Sequence, residues 1–373
     1  MHVRFKKKQY LVLNKQPLAG STFVTWIKVL IENRFQIDWQ FIPKFLYVTI
    51  MILLTTPLRI TEKRKYNKKI HNISIEKPIF IIGHWRSGTT FLHYLLGKDT
   101  NLGYVSTMQT LGPSVFLTYE KLLKKIVQNS VPEKRPMDNL EMGTDLPYEE
   151  EYAIANLTPY SFYHAWYFPR AINRYFKKYL LYENIEKNII EEWKNVYLLF
   201  LKKITYKHKG KQIVLKSLVN TAKIKLLLEL FPDAKFIHLT RNPYEVYLST
   251  WKLYDSILPM FSFQHIEKDQ FDKSILLIYK KLSQKYINEK KLITEGNLIE
   301  LRYEDFIKNP LNTVEMIYSK FGIPSFKQAK PAFEKYLKKH KVYERNHHII
   351  DEQTKKKVYT EWEDIFKEFR YDK

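Results

Sequence analysis

The sequence predicts an α/β fold: a P-loop-like parallel sheet flanked by helices, with a helical N-terminal segment before it and a helical C-terminal tail after it. Three stretches carry that expectation. "PIFIIGHWRSGTTFLHYLL" (78–96) runs from an apolar strand through a glycine-bounded loop into an apolar helix. "QIVLKS", "TAKIKLLLELF", "PDA" and "KFIHLT" (212–240) read as strand, helix, turn and strand, a crossover that makes the strands parallel. "LIELRY" (298–303) supplies one more strand.

Residues 1–76 read as the helical N-terminal segment. Within it "FLYVTIMILLTTPL" (45–58) is an apolar run of 14 residues followed by "RITEKRKYNKK". Crossing a bilayer takes about 20 apolar residues, so the run is short unless Trp39 to Ile42 and Lys44 are counted. Three readings stay open: a helix buried in the protein, one lying in the interface with its basic flank on anionic lipid, or a span. Residues 45–69 are therefore the candidate for peripheral membrane contact.

Residues 77–373 read as one α/β domain including the tail. In Thr89–Leu96 the apolar Phe91, Leu92, Leu95 and Leu96 repeat at helical spacing. "NPYEVYLSTWKLY" starts a helix with Asn242 as cap, Pro243 in the first turn and Glu245 three residues past the cap. "NPLNTVEMIYSKFG" repeats that start and stops on Gly322. The basic stretch "KKHKVYERNHHIIDEQTKKK" leads into the tail, a solvated helix by default.

Composition narrows the partners. The 373 residues, 45% hydrophobic and 15% aromatic, bury one large core or one core plus a subdomain. There is no cysteine, which excludes disulfides, thiolate chemistry and cysteine zinc sites. No secretory signal pattern opens the chain. A cytoplasmic location, with membrane association through 45–69, is the expectation. The 62 Lys+Arg against 39 Asp+Glu give a net charge of +23 and call for an anionic partner. Because the lysines are spread along the chain without a recognition motif, no specific nucleic acid is expected.

Gly83 to Gly88 have the GxxxxG spacing of a phosphate loop, and Thr89 and Thr90 place hydroxyls at the helix start. Such a loop and helix N-terminus bind anions through backbone N–H groups. Position 89 is Thr where ATP- and GTP-binding loops carry Lys, and the cation sits inside the loop, at Arg86. With no Mg²⁺-holding Asp evident, a nucleoside triphosphate would be poorly neutralised. One terminal phosphate bearing a further anionic group fits without metal. The plainer alternative is a glycine-rich turn that merely joins strand to helix.

A second constellation lies in "FIHLTRNPYEVYLSTWKLY". Arg241 ends a strand, and Ser249 stands two turns beyond Asn242 on the same helix side. An arginine and a hydroxyl converging at a strand's carboxyl end make a phosphate site. Arg-Asn-Pro is also an ordinary helix start. Taken with the first loop, it points to a nucleotide carrying phosphates at two separated places.

"GHWRSGTTFLH", "LKSLVNTAKIKLLLELFPDAKFIHLTRNPYEVYLST" and "LIELRYEDFIKNP", in this order, resemble the sulfotransferase family, most closely its bacterial branch with the GHWRSGTT signature. The resemblance covers Pro78 to Phe321. It implies the donor 3′-phosphoadenosine 5′-phosphosulfate (PAPS) and no metal. Arg86, Ser87, Gly88, Thr89 and Thr90 would hold the 5′-phosphosulfate, Arg241 and Ser249 the 3′-phosphate, and Lys216 would be a further donor contact. Leu218 departs from relatives, which often carry proline there and a histidine before the threonine.

Transfer to an acceptor hydroxyl or amine needs a base within hydrogen-bond reach, while Arg86 is placed to stabilise the bridging oxygen. "DLPYEEEYAI" packs Glu149, Glu150 and Glu151 among apolar and aromatic neighbours, where carboxyl pKa values tend to rise. Glu149 or Glu151 is the expected base, with Glu150 pointing away if the segment is helical. An acidic helix start after Pro147 is the structural alternative, and His84 is the runner-up base. "HAWYFPR" (164–170) and "LPMFSF" (258–263) line an acceptor pocket or belong to the core. His347 and His348 are adjacent, hence splayed, and no metal site is expected. The acceptor, a small molecule, glycan or lipid, is not legible. Two other classes compete: a P-loop nucleotide kinase or NTPase, which would need the missing lysine, and a basic membrane-surface protein without catalysis.

Overall fold

The computed structural model describes residues 5, 7–135, 140–339 and 350–373. His347 and His348, with the rest of 340–349, lie outside the described residues. The chain forms two compact units: Met1–Ser74 with Val105–Lys207 and Lys252–Ser274, and Ile75–Tyr104 with His208–Trp251 and Ile275–Lys373. Residues 105–207 thus group with the N-terminal helices rather than with the sheet.

The second unit is built on five parallel strands, β1 (Ile79–Gly83), β2 (Gly103–Tyr104), β3 (Ile213–Lys216), β4 (Lys235–Thr240) and β5 (Leu298–Arg302), in the order β2-β3-β1-β4-β5. Helices flank them. β1 and β3, apolar up to their closing Gly83 and Lys216, are buried at every position, as strands covered on both faces must be. β1 is central, with Ile81 opposite Lys216 on one side and Gly83 opposite Leu239 on the other. The strands expected to flank one crossover, β3 and β4, are parallel but not neighbours, because β1 inserts between them. From β1 the chain runs first toward β2, and from β3 it crosses to β4, so the sheet's switch point lies between β1 and β4. That is where ligands bind in such sheets.

One local expectation is corrected. The helix read from Thr221 begins instead as a 3₁₀ turn, Leu218–Ala222, and becomes α-helical only at Ile224–Leu230. The cause is Thr221, whose hydroxyl bonds both the N–H (2.8 Å) and the C=O (3.1 Å) of Gly83, which holds that turn tight against β1. β2 is only two residues long, too short to leave a periodic signal.

The first unit is helical. α1 (Phe23–Glu32) starts on Thr22, whose hydroxyl accepts from the Thr25 N–H at 3.1 Å. α2 (Ile42–His71) is a 30-residue helix that takes in the apolar run and its basic flank together. Among the described residues it is the one helix long and apolar enough to cross a membrane. One side of it faces protein: Lys44, Val48, Ile52, Glu62 and Ile70 are buried. Lys44 donates to the carbonyls of Pro259 (2.7 Å) and Met260 (3.1 Å), and burial draws its pKa down to about 8. Glu62 pairs with Lys203 at 2.5 Å and accepts from the N–H groups of Leu117 and Thr118. Tyr163, Trp166, Tyr167, Phe168 and Phe263 are all essentially buried, and Tyr167 stacks on Phe261 at 5.8 Å. These aromatic runs are core rather than the lining of an open pocket.

Candidate functional site

The loop between β1 and α3 (Thr89–Leu96) is held by contacts that explain its glycines. Gly83 has φ +137°, and a Cβ there would meet the Leu239 carbonyl oxygen at 2.4 Å. Gly88 has φ +91°, and a Cβ there would strike the Tyr303 ring at 2.3 Å. Neither position accepts a side chain without displacing backbone or a packed ring. Between them Ser87 is buried and donates to the His84 carbonyl at 2.7 Å, closing the turn. Arg86 sits at φ +72°, a left-handed conformation that costs a non-glycine residue about 1 kcal/mol or more. α3 begins at Thr89, buried, and Thr90, half-buried, and its first amides lie beyond the reach of intrahelical acceptors.

Arg86 joins the two constellations that the sequence suggests for phosphates. Its Nε donates to Ser249 Oγ at 2.7 Å, and its backbone carbonyl accepts from Arg241 Nη1 at 3.0 Å. Ser249 lies on the helix Pro243–Phe261, whose start is fixed by Asn242 accepting from the Tyr244 N–H at 3.0 Å. The two places read as separated therefore touch in this structure. Arg241 is further held by Glu245 at 3.2 Å and lies over the Tyr303 ring, 4.7 Å from its centroid. Tyr303 thus supports Gly88 and Arg241 at once. Sequence reasoning assigned no role to Tyr303, Thr221 or Glu245. The only signal for Tyr303 was its place just past a strand's carboxyl end.

Lys216 closes β3, nearly buried, opposite Ile81, and its charge is one cause, after burial, of the His93 pKa falling to about 3. His84 is nearly buried. Its Nδ1 lies 3.0 Å from the Trp85 carbonyl, which can only accept, so Nδ1 carries the proton and Nε2 the lone pair. Burial draws the His84 pKa down to about 4, and the ring meets Tyr279 edge to face at 4.9 Å. Lys216, His84 and the Arg86 cluster all belong to the second unit.

The acidic segment belongs to the first unit. Glu149 is half-buried and accepts from the Tyr163 hydroxyl. Glu151 opens the helix Glu151–Leu157, is fully buried and accepts from Ser161 Oγ at 2.7 Å. Glu150 turns toward Tyr197. It is fully buried at the helix cap, where the Tyr197 hydroxyl donates to it at 3.3 Å. Hydroxyls from outside the segment, on Tyr163, Ser161 and Tyr197, are what let these carboxylates be buried. Among the described residues no group of three or more His, Asp or Glu could hold a metal ion.

A family model described as "Sulfotransferase family" matches residues 78–328. A relative named omega-hydroxy-beta-dihydromenaquinone-9 sulfotransferase Stf3, from Mycobacterium bovis, is 30% identical over 359 residues, 95% of this chain and 91% of that protein. Its Mycobacterium tuberculosis counterpart matches equally. Among solved structures, the sulfotransferase STF9 of Mycobacterium avium superposes with a TM-score of 0.67 at 15% identity, covering 88% of this chain and 86% of that one. STF1 of Mycobacterium tuberculosis reaches a TM-score of 0.55 at 17% identity, covering 80% of each chain. These structures share the fold.

Proposed function

The chain belongs to the sulfotransferase family, and from that premise we propose that it moves a sulfuryl group from PAPS to the hydroxyl of a lipid-like alcohol. The observation that carries the donor assignment is the contact of Arg86 with Ser249 and Arg241, which gathers two guanidinium groups and a hydroxyl at the end of β1. A donor with phosphates on both sides of its ribose fits that cluster, and it is held without metal. The name of the 30%-identical relative, which begins with a hydroxylated menaquinone, supports the acceptor class. Peripheral membrane contact through 45–69, at a cytoplasmic membrane face, belongs to the same proposal.

In the reaction the acceptor oxygen attacks sulfur in line with the bridging oxygen. A new O–S bond forms as the old S–O bond breaks, and its electron pair stays on the 5′-phosphate. Arg86 and the first amides of α3 stabilise that developing charge. The acceptor proton goes to a carboxylate, and Glu149 is favoured over Glu151 because it is the one of the two that solvent reaches. His84 keeps an accepting Nε2 but is a weak base at a pKa of about 4. The products are a sulfate ester and adenosine 3′,5′-bisphosphate.

The test is calorimetric titration with adenosine 3′,5′-bisphosphate in the absence of Mg²⁺, against AMP at about 0.15 M salt, where surface attraction is screened beyond about 8 Å. Tighter binding of the bisphosphate is the expected result. Equal affinity for the two would remove the donor assignment.

A further inference from the structure

The side of α2 turned away from the protein carries its own pattern. Ile42, Leu46, Ile50, Leu53, Pro57 and Ile60 recur at steps of three and four, so they form one stripe along about 27 Å of helix, and all are exposed. Leu54, 67% exposed, widens it, and Trp39, 75% exposed, stands one step ahead of Ile42. No charge interrupts the stripe. Lys44 is buried on the opposite side, and Arg59 turns inward to the Ile52 carbonyl at 3.2 Å. The next steps along the same line are Arg64 and Lys68, both exposed. The one acidic residue of α2, Glu62, is buried against Lys203.

We infer that this stripe is a docking surface for an anionic lipid bilayer, with α2 lying in the plane of the interface. The charge pattern selects the occupant. An apolar strip that ends in uncompensated cations matches acyl chains beside anionic headgroups. A second copy of a +23 chain would bring like charge to the same line. Exposed Trp39 at the strip's other end suits the headgroup boundary. Spanning is disfavoured because the opposite side is tied down: Lys44 is bonded to two carbonyls and Glu62 is paired with Lys203. The inference deepens the membrane-contact part of the proposed function, and it stands apart from the donor site, since lipid binding requires no turnover.

The experiment is co-sedimentation of the full chain with phosphatidylglycerol–phosphatidylcholine vesicles and with pure phosphatidylcholine vesicles, each with Trp fluorescence of wild type and Trp39→Phe. Wild type should pellet with the anionic vesicles and show a blue shift that Trp39→Phe reduces. Leu46→Glu with Leu53→Glu should lower the bound fraction by about tenfold or more, and Arg64→Glu with Lys68→Glu should remove the preference for anionic lipid. Both doubles should keep wild-type circular dichroism and bisphosphate affinity, which separates failure of the surface from failure of the donor site. The inference would be overturned by no wild-type binding to anionic vesicles, by vesicle binding that survives Leu46→Glu with Leu53→Glu, or by a dimer in sedimentation that this double dissociates without any lipid effect. Resistance of the bound chain to alkaline carbonate would replace docking by a span, and would overturn it too.

Discussion

Arg86 and Ser249, 163 residues apart in sequence, are joined by a 2.7 Å hydrogen bond from the guanidinium Nε to the hydroxyl. The arginine that defines the loop after β1 is thereby fixed by the helix that follows β4. Its backbone is strained, at φ +72°, and its carbonyl is held by Arg241. A residue held in so costly a conformation is one whose side chain must stay where it is.

Arg86→Ala should lower turnover by about 10²-fold or more if, as proposed, it removes the cation beside the bridging oxygen. Arg86→Gly should lose as much activity yet be more stable than the alanine variant by about 1 kcal/mol, because glycine adopts a left-handed φ without strain. Turnover with PAPS and a working acceptor, together with thermal melts, checks both statements. Near wild-type turnover in either variant would discard the loop assignment.

Arg241→Ala should weaken adenosine 3′,5′-bisphosphate by roughly ten- to a hundredfold, the worth of a charge-assisted contact, and change AMP little. A general attraction of the +23 chain for anions would weaken both alike.

Glu149→Gln should reduce turnover by about 10²-fold with nucleotide affinity unchanged. Glu151→Gln should act mainly on stability, because that carboxylate is buried against Ser161. The measurement is turnover paired with chemical denaturation. Full turnover in both variants would move the base to His84.

Gly88→Ala should cost at least about 2 kcal/mol, from the ring it meets and the φ it cannot adopt easily. Adding Tyr303→Ala should recover the steric part but not the backbone part. Additive losses in the double variant would mean that the two residues do not press on each other.

Lowering the pH should destabilise the fold between about 6.5 and 4. Burial holds His84 and His164 down to about 4, and His93 and His238 to about 3, so in that window the unfolded chain takes up protons that the folded chain refuses. Stability then falls as the pH falls. Denaturant midpoints that stay level from pH 7 to 4 would contradict this.

The motifs were legible where the backbone dictates the residue. Gly83 and Gly88 stand at positive φ against the Leu239 carbonyl and the Tyr303 ring, and Asn242 and Pro243 open a helix by local chemistry alone. What escaped depends on contacts distant in sequence. Thr221 reaches Gly83 across 138 residues, and that contact reshapes the start of its helix. The place of β1 between β3 and β4 is decided by pairing rather than by order. The burial of Glu150 depends on Tyr197, 47 residues on, and no feature of "YEEEYAI" announces it. The apolar run of α2 was read at 14 residues because periodicity cannot tell that the basic flank continues the same helix.

The register of Gly83 against Leu239 also sets the order in which the enzyme can come into being on the ribosome. The loop of Arg86 is synthesised early, but the strand that lines up beside it and the arginine that grips its carbonyl emerge about 150 residues later. Until β3 emerges, β1 is an apolar strand lacking both of its neighbours, the kind of segment that chaperones shield. A nascent chain halted before Arg241 would hold the glycine loop without its clamp, so the loop can take its final form only when most of the sheet has left the tunnel.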